Sequence, residues 1–137
     1  MICKLFFDGA SKGNPGRAGA GAYIEIHDNH IELSKNVATA TNNYAEYEGL
    51  ILGLNYVIHY LIPQFGSFHL EINGDSKLVI HQILGKWKVK SSNLLALYNQ
   101  THGLLNQLNT NEISWSATHI KRELNSKADE LANKALI

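Results

Sequence analysis

After about residue 38 the spacing of apolar residues changes from a strand pattern to an alternation of helix and strand patterns, and that change restricts the fold class. Three β-prone stretches come first: residues 2–8, 18–27 and 30–38. Asp28 and Asn29 supply turn chemistry between the second and third stretches. Helical spacing then takes over and alternates with strand patterns. Three consecutive strands followed by such alternation predict a mixed sheet with helices packed on it, an α/β fold.

The second part of the chain supplies the alternating elements. From Asn43 to Leu61 the apolar residues recur at helical spacing, and Thr41 or Asn42 can cap the start. After this helix the pattern predicts a strand, two helices, a strand and a helix over residues 67–73, 76–84, 91–108, 112–118 and 125–135. The predicted order is βββαβααβα.

Length and composition fit one domain over residues 1–137. The chain is 45% hydrophobic and 18% charged, which is typical of a globular protein. It has no apolar run long enough to span a membrane and no signal-peptide pattern at its start. Its one cysteine, Cys3, cannot form an internal disulfide, so we expect a cytoplasmic protein with Cys3 buried. We also expect a monomer with no membrane association and no obligate protein partner.

Two aspartates each end a predicted strand. A glycine-rich segment follows Asp8, and a helix follows Asp75. Ligands of α/β sheets gather at the carboxyl ends of strands, so the two carboxylates would meet if their strands are parallel neighbours. A strand-end aspartate can equally cap a helix or a turn. The prediction therefore depends on further acids at the same place.

The first helix carries two glutamates that its periodicity separates. Glu46 shares its face with Leu50 and Val57 and should point toward the sheet, whereas Glu48 shares a more exposed face with His59. An inward-facing carboxylate costs free energy unless it is paired. Glu46 is therefore the candidate site residue, and Glu48 is expected at the solvated surface.

A fourth acid lies on the last helix. Asp129 sits near the start of that helix, where the helix dipole alone would favour it. If the four acids converge on one site, each carboxylate would raise the pKa values of the others. These acids are Asp8, Glu46, Asp75 and Asp129. Mg²⁺ or Mn²⁺ would resolve this repulsion, since oxygen ligands select hard cations. Two such ions about 4 Å apart are a known device for phosphoryl transfer.

Four segments containing these acids resemble type 1 ribonuclease H over nearly the whole chain: DGASKGNPG (8–16), TNNYAEYEGL (41–50), INGDSKLVIHQILGKWKVK (72–90) and KRELNSKADELANKA (121–135). The resemblance implies a ribonuclease H-like, five-stranded mixed sheet flanked by helices. It also implies endonucleolytic hydrolysis of the RNA strand in RNA–DNA hybrids, leaving 5′-phosphate and 3′-hydroxyl ends. The family's four metal-binding acids fall on Asp8, Glu46, Asp75 and Asp129, with Glu46 expected to approach the ribose 2′-hydroxyl.

The same resemblance implies contacts with the hybrid. Gly13 and Asn14 correspond to a segment that contacts RNA 2′-hydroxyls, the group that distinguishes RNA from DNA. Asn42 and Asn43 correspond to minor-groove readers, and Thr41 to part of a DNA-phosphate pocket, which is compatible with a capping role.

A histidine and two basic residues are candidates for a supporting role in catalysis. His119 matches the family's flexible histidine, which assists proton transfer or product release. Lys121 and Arg122 could share or replace that role, and Arg122 is also a candidate substrate contact. Alternatively, His119 is a strand-end histidine without catalytic duty.

One region departs from many bacterial members of the family. Their basic, Trp-rich extra helix and loop shrink here to Gly85–Lys90, so the sequence resembles a handle-less form. Residues 76–111 contain no acid but four lysines. We expect phosphate contacts from this region, rather than only a solvated turn, through Lys86, Trp87, Lys88 and Lys90. Ser91 and Asn93 are further pocket candidates.

The overall charge conceals this basic region. With 12 basic and 12 acidic residues the formal net charge is zero, which is unusual for a nucleic-acid-binding protein. If four acids hold metal ions, 12 basic residues face 8 acidic ones elsewhere. Two other functions stay open: a non-catalytic hybrid-binding module, and a DNA resolvase, integrase or exonuclease of the wider superfamily.

Overall fold

A five-stranded sheet forms the centre of the protein. A computed structural model describes residues 1–136, with strands β1 (Ile2–Gly13), β2 (Gly16–Ile26), β3 (Asn29–Ala40), β4 (His69–Gly74) and β5 (Ser114–His119). The strands lie in the order β3-β2-β1-β4-β5. β1, β2 and β3 are antiparallel neighbours, whereas β4 pairs in parallel with both β1 and β5. The predicted α/β fold with a mixed sheet is confirmed.

The helices follow the predicted order but not every predicted boundary. They are α1 (Asn42–Tyr56), α2 (Ile62–Phe65), α3 (Lys77–Ile83), α4 (Ser92–Thr110) and α5 (Ser126–Lys134). A π-helical turn, Val57–Leu61, joins α1 to α2, so the run predicted as one helix over 43–61 consists of two segments and helical structure continues past its predicted end. A 3₁₀ turn, Arg122–Leu124, precedes α5. None of the helices within residues 1–136 is long and apolar enough to cross a membrane.

The first hairpin is longer than the sequence pattern indicates. β1 continues past Asp8 to Gly13 and pairs with β2 down to the Gly13–Gly16 pair, so Asp8 lies within a strand rather than at its end. Glycines such as Gly9 and Gly21 in this hairpin allow helices to pack closely on the strands. The turn after β2 falls on residues 27–28 instead of 28–29.

The core lies between the sheet and helices α1, α3 and α4. Its fully buried members include Leu5 and Phe7 on β1, Leu50 and Leu54 on α1, and Ile72 on β4. Cys3 is also fully buried, as expected. Burial of such side chains, at about 25 cal/mol per Å² of apolar surface, holds α1 on β1 and β2. β1 and α1 carry Asp8 and Glu46, and Asp75 directly follows β4, the parallel neighbour of β1.

Candidate active site

Asp8 and Asp75 lie side by side where two parallel strands part. The parallel ladder between β1 and β4 ends at the Phe7–Gly74 pair, and each aspartate is the next residue of its chain segment. After this point β1 continues along β2, whereas the other segment turns into α3, with Ser76 as its cap. The topology thus gives the neighbouring parallel strands that the sequence analysis required.

Glycines allow α1 to approach this point closely. A Cβ on Gly9 would lie 2.3 Å from the Glu46 nitrogen, and one on Gly49 would lie 2.5 Å from the Asp8 carbonyl oxygen. Both distances are too short for any other residue, so the backbones of α1 and β1 are in direct contact. This contact directs Glu46 toward Asp8.

The structure brings three of the four predicted acids together. Carboxylate oxygens of Asp8, Glu46 and Asp75 lie within 4.8 Å of one another. Asp8 is only 5% exposed and accepts a hydrogen bond from the Gly9 N–H at 2.9 Å. Glu46 and Asp75 are partly buried. Three carboxylates this close form a centre of concentrated negative charge.

Burial and mutual repulsion raise the pKa values of these acids. Burial, with Asp75 as the next contribution, raises the pKa of Asp8 to about 8. Burial and Asp75 raise the pKa of Glu46 to about 7, against a hydrogen bond from Ser76. Burial also raises the pKa of Asp75, although Arg122 counteracts part of this effect. Without a cation, the cluster therefore retains protons near neutral pH.

Asp129 faces the same cavity from α5 without joining the three-carboxylate group. Close contact between α5 and β2 places it there, because a Cβ on Gly21 would lie 2.5 Å from the Ala132 nitrogen. Asp129 contributes to the raised pKa values of Asp8 and Asp75, so its charge acts on the group. Its Oδ1 accepts a hydrogen bond from Asn133 at 3.2 Å.

An open cavity of about 660 Å³ covers the acids, and its lining includes Asn42, His119, Lys121 and Arg122. His119 is the exposed last residue of β5, and Lys121 and Arg122 follow it on the same rim. The cavity thus combines a carboxylate floor with a rim of histidine and basic side chains. Both alternatives for the supporting role, His119 and the two basic residues, lie beside the acids.

The donor set fits hard divalent cations. Asp8, Glu46 and Asp75 each offer a carboxylate oxygen to this group, and such ligands favour Mg²⁺ or Mn²⁺ over softer metals. Within residues 1–136 no cysteine or histidine joins this group. A bound cation would also relieve the repulsion that raises the carboxyl pKa values.

Comparison with known proteins identifies the family. A family model described as reverse transcriptase-like matches residues 6–135. Ribonuclease HI of Halobacterium salinarum is 39% identical over 133 residues, which make up 96% of this chain and 62% of that protein. The chain belongs to the type 1 ribonuclease H family.

Two further ribonuclease H relatives define the extent of the match. A bifunctional protein of Mycobacterium tuberculosis is 40% identical over 132 residues. The match covers 94% of this chain but only 34% of that protein. LC11-RNase H1, solved in complex with an RNA/DNA hybrid, is 31% identical with a TM-score of 0.88. That alignment covers 98% of this chain and 96% of the solved one.

The segments that resemble the RNA-contacting parts of ribonuclease H meet beside the acids. Gly13 and Asn14 are exposed at the end of the first hairpin. The Asn14 side-chain oxygen accepts a hydrogen bond from the Asn42 backbone N–H at 3.1 Å, which leaves the amide NH₂ group of Asn14 as a donor. Asn42 and Asn43 are exposed at the start of α1.

A second cavity, of about 700 Å³, adjoins these residues, and its lining includes Asn14, Thr41, Asn43, Ser91 and Asn93. The Thr41 hydroxyl accepts a hydrogen bond from the Tyr44 N–H at 3.2 Å, so Thr41 caps α1 while it lines this cavity. Hydroxyl and amide groups at a helix start suit a phosphate group.

The basic residues between α3 and α4 line a groove of about 620 Å³, which includes Lys86, Trp87, Lys88 and Lys90. Trp87 is 43% exposed and stacks on the His81 ring, with 4.7 Å between the ring centroids. The connection from Ile83 to Ser92 is short and contains no helix, which agrees with a ribonuclease H domain that lacks a handle. Arg122 lies apart from these residues, beside the acids.

Two residues near the acids were not singled out as site residues from the sequence. Ser76 accepts a hydrogen bond from the Val79 N–H at 3.2 Å and counteracts part of the rise in the Glu46 pKa, although only its capping position is visible in the sequence. Asn125 is buried, donates to the Phe7 carbonyl at 2.9 Å and counteracts part of the rise in the Asp75 pKa. A polar residue directly before a helix is the signal for both, and it indicates a cap more readily than a site.

The prediction that Glu48 lies at the solvated surface is wrong. Its side chain is 13% exposed rather than freely solvated, and it forms an ion pair with Lys35 at 2.7 Å. Periodicity located Glu48 away from Glu46 but could not reveal that β3 reaches this face of α1. Glu48 remains outside the three-carboxylate group.

Proposed function

We propose that this chain is an endonuclease that hydrolyses the RNA strand of RNA–DNA hybrids. Residues 1–137 act as one ribonuclease H domain, with Asp8, Glu46, Asp75 and Asp129 holding two divalent cations, Mg²⁺ or Mn²⁺. The observation that carries the proposal is the group of three carboxylates within 4.8 Å at the point where β1 and β4 part. Family membership gives this group its expected chemistry.

The acids and the residues around them have different roles in the reaction. Bound cations would supply an activated water and a Lewis acid for the leaving oxygen, which yields 5′-phosphate and 3′-hydroxyl ends. Asp8 and Asp75 fix the floor of the site, and Glu46 faces the RNA strand next to its 2′-hydroxyl. His119, exposed on the rim, moves a proton or helps product to leave. Arg122 contacts the substrate phosphate.

The cavity linings support a binding surface long enough for a duplex. Asn42 lines the first cavity, and its neighbours Thr41 and Asn43 line the second. Ser91 and Leu94 line both the second cavity and the basic groove. The polar surface therefore runs from the acids, past the start of α1, to the lysines after α3.

The two strands of the hybrid lie on different parts of this surface. Gly13, Asn14, Asn42 and Asn43 contact the RNA strand beside the acids, where their amide and backbone groups reach 2′-hydroxyls and the minor groove. The DNA strand lies on Thr41 and on the basic loop with Lys86, Trp87, Lys88 and Lys90. LC11-RNase H1, which is 31% identical and was solved in complex with an RNA/DNA hybrid, supports hybrid binding. The assignment of residues to the two strands rests on the resemblance of these segments to the family.

A substrate comparison tests the proposal. Labelled RNA–DNA hybrid, double-stranded DNA and double-stranded RNA of one sequence are incubated with the protein and Mg²⁺ or Mn²⁺, and the products are sized on a gel. We expect cleavage of the RNA strand of the hybrid alone. Binding of the hybrid without cutting in either metal would indicate a non-catalytic module, and cleavage of duplex DNA would indicate a DNA nuclease. Either result would overturn the proposal.

A further inference from the structure

A buried amide connects the acid-bearing helix to the basic loop. Gln82 on α3 is 3% exposed and lies on the same buried face as Val79, Ile80 and Ile83. Burial of an amide among apolar side chains is costly unless both of its ends are paired. Both ends of the Gln82 amide are paired, and these hydrogen bonds explain why a polar residue is tolerated at this buried position.

The two partners of Gln82 come from different elements. The Tyr47 hydroxyl donates to the Gln82 Oε1 at 2.6 Å, and the Gln82 Nε2 donates to the Lys88 carbonyl at 3.3 Å. Tyr47 is fully buried and follows Glu46 directly on α1. Burial raises the pKa of the Tyr47 hydroxyl, so this group stays protonated and continues to donate. A hydrogen-bond chain thus runs from α1 through α3 to Lys88.

The loop needs such an anchor at Lys88. The Lys86 and Trp87 N–H groups both donate to the His81 carbonyl, at 2.8 and 3.2 Å, so the first part of the loop folds back on the end of α3. Past Trp87 the backbone leaves α3 and crosses toward Ser91, the cap of α4. Gln82 reaches the chain at Lys88, midway across this gap.

We infer that Gln82 is a positioning residue for the basic loop. Through its bond to Lys88 it holds Lys86, Trp87 and Lys88 in the orientation that contacts the phosphates. Gln82 itself touches neither substrate nor acids, so it sets the affinity for the hybrid and not the rate of the chemical step. The inference rests on the proposed hybrid cleavage.

Three variants separate positioning from stability. Gln82→Met keeps the side-chain length but removes both hydrogen bonds, and we expect KM for the hybrid to rise about threefold to tenfold with kcat unchanged. Tyr47→Phe keeps the Lys88 bond and should leave KM close to wild type. Tyr47→Phe combined with Gln82→Met leaves no buried hydroxyl unpaired. This double variant should regain part of the thermal stability that Gln82→Met loses while keeping its raised KM.

A double-mutant cycle tests whether Gln82 acts through the lysines. In a Lys86→Ala/Lys88→Ala background, adding Gln82→Met should not raise KM further, because the groups that it positions are absent. Gln82→Met alone should also flatten the dependence of log KM on log salt concentration, by about one unit of slope. Thr101→Val is the matched control: Thr101 is fully buried on α4 and donates to the Leu97 carbonyl of its own helix. It should lower Tm without changing KM.

The outcomes distinguish this inference from the proposed function. Wild-type protein that leaves hybrids uncut overturns the proposed cleavage, and fluorescence anisotropy with labelled hybrid in EDTA then tests positioning through Kd alone. A KM or Kd rise specific to the Gln82→Met variants, and absent in the lysine-free background, supports the inference. An unchanged KM and Kd, an additive effect in that background, an equal effect of Thr101→Val, or no hybrid binding at all would overturn it.

Discussion

Asp8 and Asp75 occupy equivalent positions on two neighbouring parallel strands, each one residue beyond the Phe7–Gly74 pair. At this point β1 and β4 separate, while Asp8 stays paired with Gly21 of β2, and both carboxylates face the open cavity. Burial raises the pKa of both groups, and the Asp75 charge adds to the rise at Asp8. The fold therefore holds charge where it is electrostatically unfavourable, and this is the property expected of a cation site.

The two glutamates of α1 provide a matched pair. Glu46→Gln should lower hybrid cleavage at least about a hundredfold, because it removes a cation ligand. Glu48→Gln, two positions along the same helix, should keep cleavage within about twofold while it loses the Lys35 ion pair, a contact of small energetic value. Cleavage rates of both variants at saturating Mg²⁺ make the comparison. Equal losses, or a larger loss in Glu48→Gln, would contradict the assignment of Glu46.

The raised pKa of Asp8 predicts how the metal-free protein responds to pH. Its pKa of about 8 in the folded protein lies above the ordinary 3.8, so the folded state prefers the protonated form. The associated stability is present below about pH 4 and is lost as the pH rises through 8.

Asp8→Asn should therefore be more stable than wild type at pH 9 in EDTA, by about 2–4 kcal/mol. Each unit of pKa shift corresponds to about 1.4 kcal/mol, and relaxation absorbs part of it. Thermal melts from pH 5 to 9 measure the difference, which should grow with pH. Asp28→Asn, in the exposed turn after β2, should follow the wild-type curve. A stability difference that shrinks with rising pH would refute this account of the cluster.

Cation binding should displace the protons that the acids retain. Because the pKa values of Asp8 and Glu46 lie at about 8 and 7, addition of Mg²⁺ at pH 7 should release protons and raise Tm. Calorimetry in two buffers of different ionisation enthalpy counts the protons. Asp8→Asn should release fewer of them. Binding of Mg²⁺ without proton release would show that the carboxylates are already ionised.

His119 should support the reaction rather than bind the substrate. His119→Ala should lower kcat by about a hundredfold with little change in KM, since it removes a proton-transferring group from the cavity rim. His59→Ala, an exposed histidine in the π-helical turn, is the control and should behave as wild type. A normal kcat in His119→Ala, with a reduced kcat in Lys121→Ala or Arg122→Ala, would transfer the role to those basic residues.

Asn14 should distinguish RNA through its amide donors. Asn14→Asp keeps the oxygen that accepts from the Asn42 N–H but loses the donors and adds a negative charge. We expect KM for the hybrid to rise about tenfold with unchanged Tm. Asn29→Asp makes the same charge change at the exposed start of β3 and should have no effect. An equal effect of the two substitutions would show that charge alone is responsible.

Periodicity and strand-end positions predicted the sheet class, the helix order and the separation of Glu46 from Glu48. Periodicity did not predict that β1 continues past Asp8, because the small residues after Asp8 form no hydrophobic pattern typical of a strand. The extension follows from contacts far apart in sequence, such as Gly9 against Glu46 and Gly21 against Ala132.

Hydrogen bonds from buried side chains to backbone carbonyls were also beyond sequence reasoning. Asn125 and Gln82 bond to carbonyls of Phe7 and Lys88, and backbone acceptors leave no trace in a side-chain pattern. The ion pair of Glu48 with Lys35 likewise depends on how α1 crosses β3. Local chemistry could be predicted, whereas tertiary partners required the structure.

Cleavage of a hybrid under single-turnover conditions tests the central claim most directly. An RNA–DNA hybrid with 5′-labelled RNA is mixed with excess wild-type protein or Asp75→Asn in Mg²⁺, in Mn²⁺ and in EDTA, and the ends of the products are mapped. The account predicts 3′-hydroxyl and 5′-phosphate ends from the wild-type protein with either metal, and no cleavage in EDTA or by folded Asp75→Asn. Cleavage in EDTA, or normal cleavage by Asp75→Asn, would contradict it.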